Sequence, residues 1–442
     1  MDHCKHSCSF DFNYFKDSLK MDFRNKKVLI LGLGRSGLSS ARVLKKLGSE
    51  IWISDRGDNP YLRNLAHQLE NEGINVELGK HSPEFIEGKD LIVISPGVPS
   101  NLSFLEKAKE NGVCIISEIE LGYLLSPSPI IAVTGTNGKS TVTALIGKVL
   151  EKAKIPNVVC GNIGNPFTGE LDKLNPQTYV VLEVSSFQLE NIVSFKPYIS
   201  IVLNITPDHL DRYNSLDEYI KAKERIFMNQ DESDYLILNF RDPITRSFAE
   251  KTKAKVLFFN CDEKKEITEN QEVVLKVSSI LGIPEEIVFS TFKEFKGLPH
   301  RCEFVTEIGG VVFINDSKAT NIHSTRYSLS SFKQKVILIA GGRDKGQDFT
   351  SLSTWIGEKV KHLILIGEGK DKIEKAVKKI VPIEKFDDLE KAVNYAYSIA
   401  KEKDVVILSP MCASFDMFNN YEHRGEVFKN LVFHLKKNLC MK

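Results

Sequence analysis

The sequence predicts an α/β protein of three units, each with a mostly parallel sheet, and three observations carry that prediction. Short apolar, β-branched runs alternate with helix-length amphipathic stretches from Lys27 to the C-terminal region. Two of the runs open straight into glycine turns followed by a helical pattern, at Gly32-Leu33-Gly34 and at Gly135-Thr136-Asn137-Gly138. Ser126-Pro127-Ser128-Pro129 forms a stiff linker between the regions these turns occupy. At 442 residues the chain is long enough for two to four cores, since a domain takes roughly 100–200 residues.

The first unit, 26–125, opens with the strand Lys27-Val28-Leu29-Ile30-Leu31, a turn through Gly34-Arg35-Ser36, and a helix from Leu38 to Leu47. Its next strand, Glu50 to Ser54, ends at Asp55, an acidic residue about 20 positions after the glycines, which is a Rossmann-like opening. Taking position 40, where Ser40 stands, as the third glycine site leaves that fingerprint incomplete. A further strand, 90–95, runs into Pro96-Gly97-Val98-Pro99, the kind of strand-end loop where such sheets hold ligands. The central unit, 126–299, has strands at 130–134, 179–184 and 199–204 and a helix from Leu216 to Met228. The third, 300–442, has strands at 311–314, 335–340, 363–366 and 404–408, with helices at 370–380 and 389–401 between them. Alternation of this kind implies parallel sheets in all three.

Composition narrows the function. With 42% hydrophobic and 26% charged residues the chain is an ordinary globular protein, and a formal charge of +1 argues against a nucleic-acid or anionic-membrane surface. No apolar run approaches the roughly 20 residues of a membrane span, and the N-terminus lacks a positive-then-apolar signal pattern, so the cytoplasm is the expected location. The eight cysteines are scattered and read as reduced thiols. His3-Cys4-Lys5-His6-Ser7-Cys8 has the residue types for Zn²⁺ but no second ligand pair nearby, so 1–25 reads as a dispensable tail.

The chemistry centres on Thr134-Gly135-Thr136-Asn137-Gly138-Lys139-Ser140-Thr141. Glycines let backbone N–H groups turn toward one anion, Lys139 can reach terminal phosphates, and the Ser140 or Thr141 hydroxyl can meet Mg²⁺. Val133 stands where the general phosphate loop has its first glycine, so only the shorter Gly-x-x-Gly-Lys-Ser form is present. Glu183 ends a buried strand and reads as a Mg²⁺ carboxylate or a strand-end salt bridge; His209 reads as a metal neighbour or a loop histidine. Lys221 and Lys223, as isolated lysines, read as solvated face residues. Arg301, Asp316 with Lys318, and Arg343-Asp344-Lys345 all follow strands or unit boundaries and offer cations to an anionic substrate. ATP together with cations for carboxylates points to acyl activation: a carboxylate takes the γ-phosphoryl group, and an amine then displaces phosphate.

Six motifs in order carry a resemblance: Gly135-Thr-Asn-Gly-Lys-Ser140, Glu183-Val-Ser-Ser-Phe-Gln-Leu-Glu190, Asp208-His-Leu-Asp-Arg-Tyr213, Gly297-Leu-Pro-His-Arg-Cys-Glu303, Asn315-Asp-Ser-Lys-Ala-Thr-Asn321 and Ser409-Pro-Met-Cys-Ala-Ser-Phe-Asp416. Together they resemble the Mur ligases of bacterial peptidoglycan synthesis, from about Lys26 to the C-terminus. The resemblance implies two Rossmann-like domains flanking a central P-loop ATPase domain, and a monomer. It implies ATP-dependent addition of D-glutamate to UDP-MurNAc-L-alanine through an acyl phosphate, with two Mg²⁺ ions. Arg35, Ser36, Asp55, Arg56 and Gly97 would then hold the UDP group, and Asn162 and Ser185 the muramoyl-alanyl arm. Gly135 through Thr141, Asn270, Arg301, Asp316 and Lys318 would contact ATP. Lys139 would stabilise the transferred phosphoryl group, and Ser140, Glu183, His209 and Lys223 the metals, Lys223 as a carbamate. Thr320, Lys345, Ser414, Phe415 and Tyr421, with Asn420 nearby, would hold D-glutamate. Between Asn260 and Leu281 the chain is shorter than the family pattern: Asn270 matches the last Asn of a His-Asn-x-x-Asn start, but Glu266 and Ile267 stand where His-Asn would.

Overall fold

The computed structural model describes residues 22–209, 212–261 and 267–440. The His/Cys segment at the N-terminus, Leu210, Asp211 and Glu266 lie outside the described residues. The chain divides into two compact units, one holding the chain up to Ile205 and Asp217–Glu294, the other Thr206–Leu216 and everything from Phe295.

The first unit contains two sheets. Strands β1 (Lys27–Leu31), β2 (Glu50–Asp55), β3 (Asn75–Leu78), β4 (Leu91–Ile94) and β5 (Cys114–Ser117) form a five-stranded sheet in the order β3-β2-β1-β4-β5. Every pairing is parallel. β4 and β5 are buried along their whole length, as expected where helices cover both faces. The first helix begins at Arg35, three residues earlier than its apolar pattern, because Gly34 is still extended and serves as its N-cap.

The second sheet comprises β6 (Ile130–Thr134), β7 (Asn157–Gly161), β8 (Tyr179–Glu183), β9 (Ile199–Val202), β10 (Tyr235–Asn239) and β11 (Lys255–Phe259). Its order is β11-β10-β9-β6-β8-β7, again all parallel. β6 sits between β8 and β9, and all five of its residues are buried. The helices Lys139–Lys152 and Glu269–Ile280 pack together beside it. The second is started by a capping box, in which Thr268 and Gln271 satisfy each other's backbone N–H. The helix expected from Leu216 to Met228 is α-helical only to Glu224 and then tightens into a 3₁₀ turn at Arg225–Phe227.

The two sheets are joined by specific contacts as well as by the linker. Glu118 accepts hydrogen bonds from the Thr168 N–H (2.7 Å) and hydroxyl (2.8 Å), and the Thr168 hydroxyl lies 2.9 Å from that of Ser39. Glu120 accepts three backbone N–H bonds, from Val193, Ser194 and Phe195, at 2.7–2.9 Å. Burial pushes both carboxyls above the usual range, although these hydrogen bonds pull the other way.

The second unit holds β12 (Glu303–Ile308), β13 (Val311–Asn315), β14 (Val336–Gly341), β15 (Val360–Ile366), β16 (Ile383–Lys385) and β17 (Val405–Leu408), in the order β12-β13-β17-β14-β15-β16. Here the sheet is mostly parallel, as expected, with one antiparallel pair at its edge. β12 pairs antiparallel with β13 through a two-residue turn at Gly309 and Gly310, both at positive φ (55° and 77°). Two consecutive left-handed residues make the tight turn that matches strand twist, and glycine adopts them without steric cost.

Candidate active site

The loop after β6 is shaped by its glycines. Gly135 (φ +143°) and Gly138 (φ +86°) lie where other residues are strained, and a Cβ at either would press into Leu203 (3.0 Å) or the Asn270 side-chain oxygen (2.9 Å). Asn270 therefore abuts the loop. Gly138 caps the helix Lys139–Lys152, whose first N–H groups point out of the helix end beside the loop. Asn204 splints the loop: its side chain accepts from the Asn137 N–H (2.9 Å) and donates to the Asn137 carbonyl (3.1 Å), while its own carbonyl accepts from the Thr136 N–H (2.9 Å). Sequence reading passed over Asn204, 67 residues away; its position at a strand end was the only signal.

Two lysines converge on this loop. The Lys139 ammonium donates to the carbonyls of Gly135 and Thr136, both at 2.9 Å. The Lys223 ammonium donates to the same Gly135 carbonyl at 2.8 Å and lies 4.7 Å from the centre of the Tyr219 ring. Lys223 is 1% exposed, whereas Lys221 on the same helix is exposed. The reading of both as solvated lysines is therefore wrong for Lys223, which the helix turns inward beside Tyr219. The Tyr219 hydroxyl in turn lies 3.2 Å from that of Thr136.

Glu183 ends β8 in register with Val133 of β6 and Gly161 of β7, and it is buried. Its Oε1 accepts from the Asn162 side chain at 2.7 Å, and the Asn162 N–H bonds the Glu183 carbonyl at 2.9 Å. Gly161 must be glycine, since a Cβ there would strike that carbonyl. Ser185 caps the helix Ser186–Leu189 in a capping box with Gln188. Ser140 is buried on the first turn of its helix and Thr141 half-buried beside it. Among the described residues no three His, Cys, Asp or Glu side chains converge as a metal cage. A hydroxyl, one carboxylate and the phosphates of a bound nucleotide are a donor set that suits Mg²⁺, an ion that keeps water and phosphate ligands.

Within the same unit, the first sheet carries a cavity of about 510 Å³ lined by Arg35, Ser36, Asp55, Arg56, His81 and the loop 95–99, among others. Gly97 belongs to that loop. Asp55 does structural service, since its two oxygens accept from the Leu33 N–H and the Gly57 N–H, both at 2.6 Å. Arg35 reaches across to the Gly164 carbonyl, tying the cavity to the loop that follows Asn162. The third fingerprint glycine is Gly37, not position 40: its backbone lies against the Gly32 carbonyl too closely for any Cβ.

The other unit gathers a second polar group. Asp208 is buried, accepts from the Asn321 side chain at 2.9 Å, and lies 3.8 Å from both the Lys345 ammonium and His209 Nε2. His209 holds a left-handed backbone (φ 56°), a conformation that costs energy outside glycine and asparagine. Asp316 is 1% exposed, accepts from Ser409 (2.6 Å) and the Cys302 N–H (3.1 Å), and is pushed up by burial although Arg301 and these bonds oppose it. Thr320 follows in the same loop, its N–H bonding the Lys318 carbonyl. The Lys318 ammonium lies 5.3 Å from the Tyr421 ring centre. Ser414 is buried and Phe415 is 63% exposed. Of the two cations expected after β14, Arg343 is committed to an exposed pair with Glu368, and only Lys345 joins the group around Asp208.

Arg424, which lies outside every motif, organises this region. It is 1% exposed, and its guanidinium donates to the Ser317 hydroxyl (3.0 Å) and carbonyl (2.9 Å), the Cys412 carbonyl (3.2 Å) and the Ala413 carbonyl (3.3 Å). It thereby clamps the loop 316–321 to the loop 409–415, the two loops that carry Lys318, Thr320 and Ser414. Burial lowers its pKa to about 10, so it stays a cation.

A nucleotide cradle on one parallel sheet, in a chain that carries two further α/β sheets, defines the class: an enzyme that uses a nucleoside triphosphate. Residues 26–117, 133–293 and 300–412 match in turn the Mur ligase MurD-like N-terminal domain, the Mur ligase middle domain and the Mur ligase glutamate ligase domain, and the chain belongs to the Mur ligase family. It is 40% identical to UDP-N-acetylmuramoylalanine–D-glutamate ligase of Caldanaerobacter subterraneus subsp. tengcongensis, covering 94% of this chain and 100% of the relative. It is 39% identical, with the same coverage, to the enzyme of that name from Clostridioides difficile. Among solved structures it is similar to a pseudomurein peptide ligase type C from Methanothermus fervidus (TM-score 0.56, 18% identity, covering 93% of this chain and 100% of that one). The likeness to the UDP-N-acetylmuramate–alanine ligase of Thermotoga maritima has the same values. At such identities these structures speak to the fold alone.

Proposed function

We propose that the protein is an ATP-dependent ligase that joins D-glutamate to UDP-N-acetylmuramoyl-L-alanine, a step of peptidoglycan precursor synthesis. Identity near 40% along almost the whole chain to enzymes of that name supports the reaction. The observation that carries the chemistry is the convergence of Lys139 and Lys223 on one glycine carbonyl in the phosphate loop.

In this reading Lys139 leaves its loop carbonyls for the β- and γ-phosphates and stabilises the charge of the phosphoryl group in transfer. The N–H groups from Asn137 to Thr141 hold the phosphates, and Asn204 keeps the loop rigid enough to do so. The carboxyl of the muramoyl-alanyl substrate takes the γ-phosphoryl group, ADP leaves, and the amine of D-glutamate then displaces phosphate to form the amide. Arg35 and Arg56 neutralise the diphosphate of the sugar nucleotide in the cavity of the first sheet, and Asn162 and Ser185 orient its arm. Lys345, Thr320 and Ser414 receive D-glutamate, with Phe415 and Tyr421 beside them; Arg301, Asp316 and Lys318 serve the nucleotide.

Mg²⁺ would be held by Ser140, Glu183 and His209, and when bound it neutralises phosphate charge. Lys223 as an ammonium would repel that ion. Its amine is buried beside an aromatic ring, and a neutral amine there can add CO₂ to give a carbamate, an anionic oxygen donor that suits the metal. No helix among the described residues is long and apolar enough to cross a membrane. The proposed enzyme is a monomer that acts in the cytoplasm. The decisive experiment incubates the protein with UDP-MurNAc-L-alanine, ATP and each glutamate enantiomer, with mass analysis of the product. A D-glutamyl adduct is expected, and its absence alongside turnover of another amino acid would refute the assignment.

A further inference from the structure

The cavity of the first sheet contains a residue to which nothing above gives a role. His81 lines it together with Gly32, Gly34 and the nearby Arg56. Its ring is fixed from behind: Nδ1 lies 2.7 Å from the hydroxyl of Ser54, a fully buried residue of β2. Phe104 covers it, with ring centroids 5.4 Å apart and the planes tilted by 54°.

The surroundings of Ser54 decide which nitrogen carries the proton. A serine hydroxyl has a single hydrogen to give. The Ser54 oxygen also lies 3.0 Å from the Lys80 carbonyl and 3.3 Å from Glu77 Oε2. Both are acceptors only: the Glu77 carboxyl is held below its ordinary range, against the effect of burial, by hydrogen bonds from Ser82 and Ser54. With two acceptor-only neighbours, the Ser54 proton is assigned to one of them, and Ser54 then accepts from His81. That places the hydrogen on Nδ1 and leaves Nε2, on the far side of the ring, with a lone pair. The charged groups facing the ring are Arg56, Asp55 and Glu77; burial and Arg56 favour the neutral ring, and the two carboxylates oppose them.

We infer that His81 is a specificity-determining residue of the sugar-nucleotide site, its Nε2 accepting a hydrogen bond from the ring N–H of a uracil-type base. The rest of the lining suits this role. Pro96, Val98, Pro99 and Leu102 supply an apolar wall for a planar base, and Arg56 supplies donors for its carbonyl oxygens. Cytosine has a lone pair where uracil carries N3–H, so a cytosine base would set two lone pairs against each other. A site built around one hydrogen bond rejects the analogue that cannot make it, because the buried group is then left without a partner. The inference rests on the reading that this cavity takes the UDP group.

The test compares wild type, His81→Phe and His81→Gln by calorimetric titration with UDP and with CDP, and by ligase kinetics with UDP-MurNAc-L-alanine. Wild type is expected to prefer UDP over CDP by about tenfold, the worth of one hydrogen bond and one lone-pair clash. His81→Phe keeps a flat ring against Phe104 and loses the acceptor, so the preference collapses toward unity and the KM for the sugar nucleotide rises about tenfold. His81→Gln, whose amide oxygen can replace Nε2, recovers part of the preference. A His81→Phe protein that keeps the wild-type UDP-to-CDP ratio overturns the inference, as does a His81→Gln protein no more selective than His81→Phe. If wild type neither binds UDP nor turns over the sugar nucleotide, the parent reading fails with it; normal turnover with unaltered base selectivity in His81→Phe sinks the His81 assignment alone.

Discussion

Lys223 in the phosphate-loop region and Arg424 in the third-sheet region are both cations with 1% exposure, one an amine and the other a guanidinium. Arg424 spreads its guanidinium over the Ser317 hydroxyl and the carbonyls of Ser317, Cys412 and Ala413, and no carboxylate among the described residues bonds it. Lys223 gives a short bond to Gly135 and a long one, 3.5 Å, to the Thr134 hydroxyl, and rests against an aromatic ring. A guanidinium is a rigid fork that cannot lose its proton in a protein, so a complete set of acceptors makes it a structural pin. An amine on a flexible stem shifts its pKa readily and, once neutral, is a nucleophile. The difference in chemistry suits Arg424 to the role of a pin and suits Lys223 to the reacting role proposed for it.

The largest effect is expected from removing the cation proposed to meet the phosphates. Lys139→Ala should lower turnover about a thousandfold, the scale of losing a preorganised charge at a developing negative centre, with an unchanged circular dichroism spectrum. Full ligase turnover in that variant would dismiss the phosphate role. Lys223→Ala should lose about a hundredfold, and wild-type activity should climb with added bicarbonate while that of Lys223→Arg stays flat. A wild type indifferent to bicarbonate depletion would remove the carbamate from the scheme.

Arg424→Met should behave differently, costing about 3 kcal/mol of stability because several buried carbonyls lose their donor together, and raising the KM for D-glutamate. Chemical denaturation read by fluorescence measures the first; a loss confined to kcat with normal stability would show that the pin reading is mistaken. Thr268→Ala removes the capping box of the helix that carries Asn270 and should cost about 1 kcal/mol, with the KM for ATP rising alongside.

The smallest effect concerns Glu118. Its folded-state pKa is raised by burial, so the fold favours the protonated form. That contribution is complete below the ordinary value of 4.5 and fades as pH climbs through the raised folded value. Glu118→Gln mimics the protonated acid, keeps an acceptor for Thr168, and should melt a few degrees above wild type at pH 8. The gap should close near pH 4.5. A variant less stable than wild type at pH 8 would mean that the carboxylate, not the acid, is what the Thr168 contact needs.

Much of the middle sheet could be read directly. The apolar run of β6, the glycines at 135 and 138 and Lys139 are neighbours in the chain, and their spacing alone dictates a strand, a turn and a helix start. The third sheet was less transparent. β13, β14, β15 and β17 announce themselves as apolar runs, but the mixed pattern of Glu303–Ile308 hid an edge strand with one face open to water. Its clue was the Gly309-Gly310 pair. Periodicity also misled at Lys223: a nine-residue helix rich in charge looks solvated until the side that faces the sheet is known.

What the chain determined unaided is local: where the backbone must take positive φ, where apolar runs make strands too buried to be anything but parallel, and which short segment can wrap a phosphate. What only folding decided is which distant polar groups meet. Asn204 against Asn137, Glu118 against Thr168, and Arg424 against Ser317 are separated by 67, 50 and 107 positions, and no periodicity links such partners. The reason is physical. A turn is governed by steric limits acting between adjacent residues, whereas a buried hydrogen bond forms only after the core has brought both ends out of water, where leaving either one alone is costly.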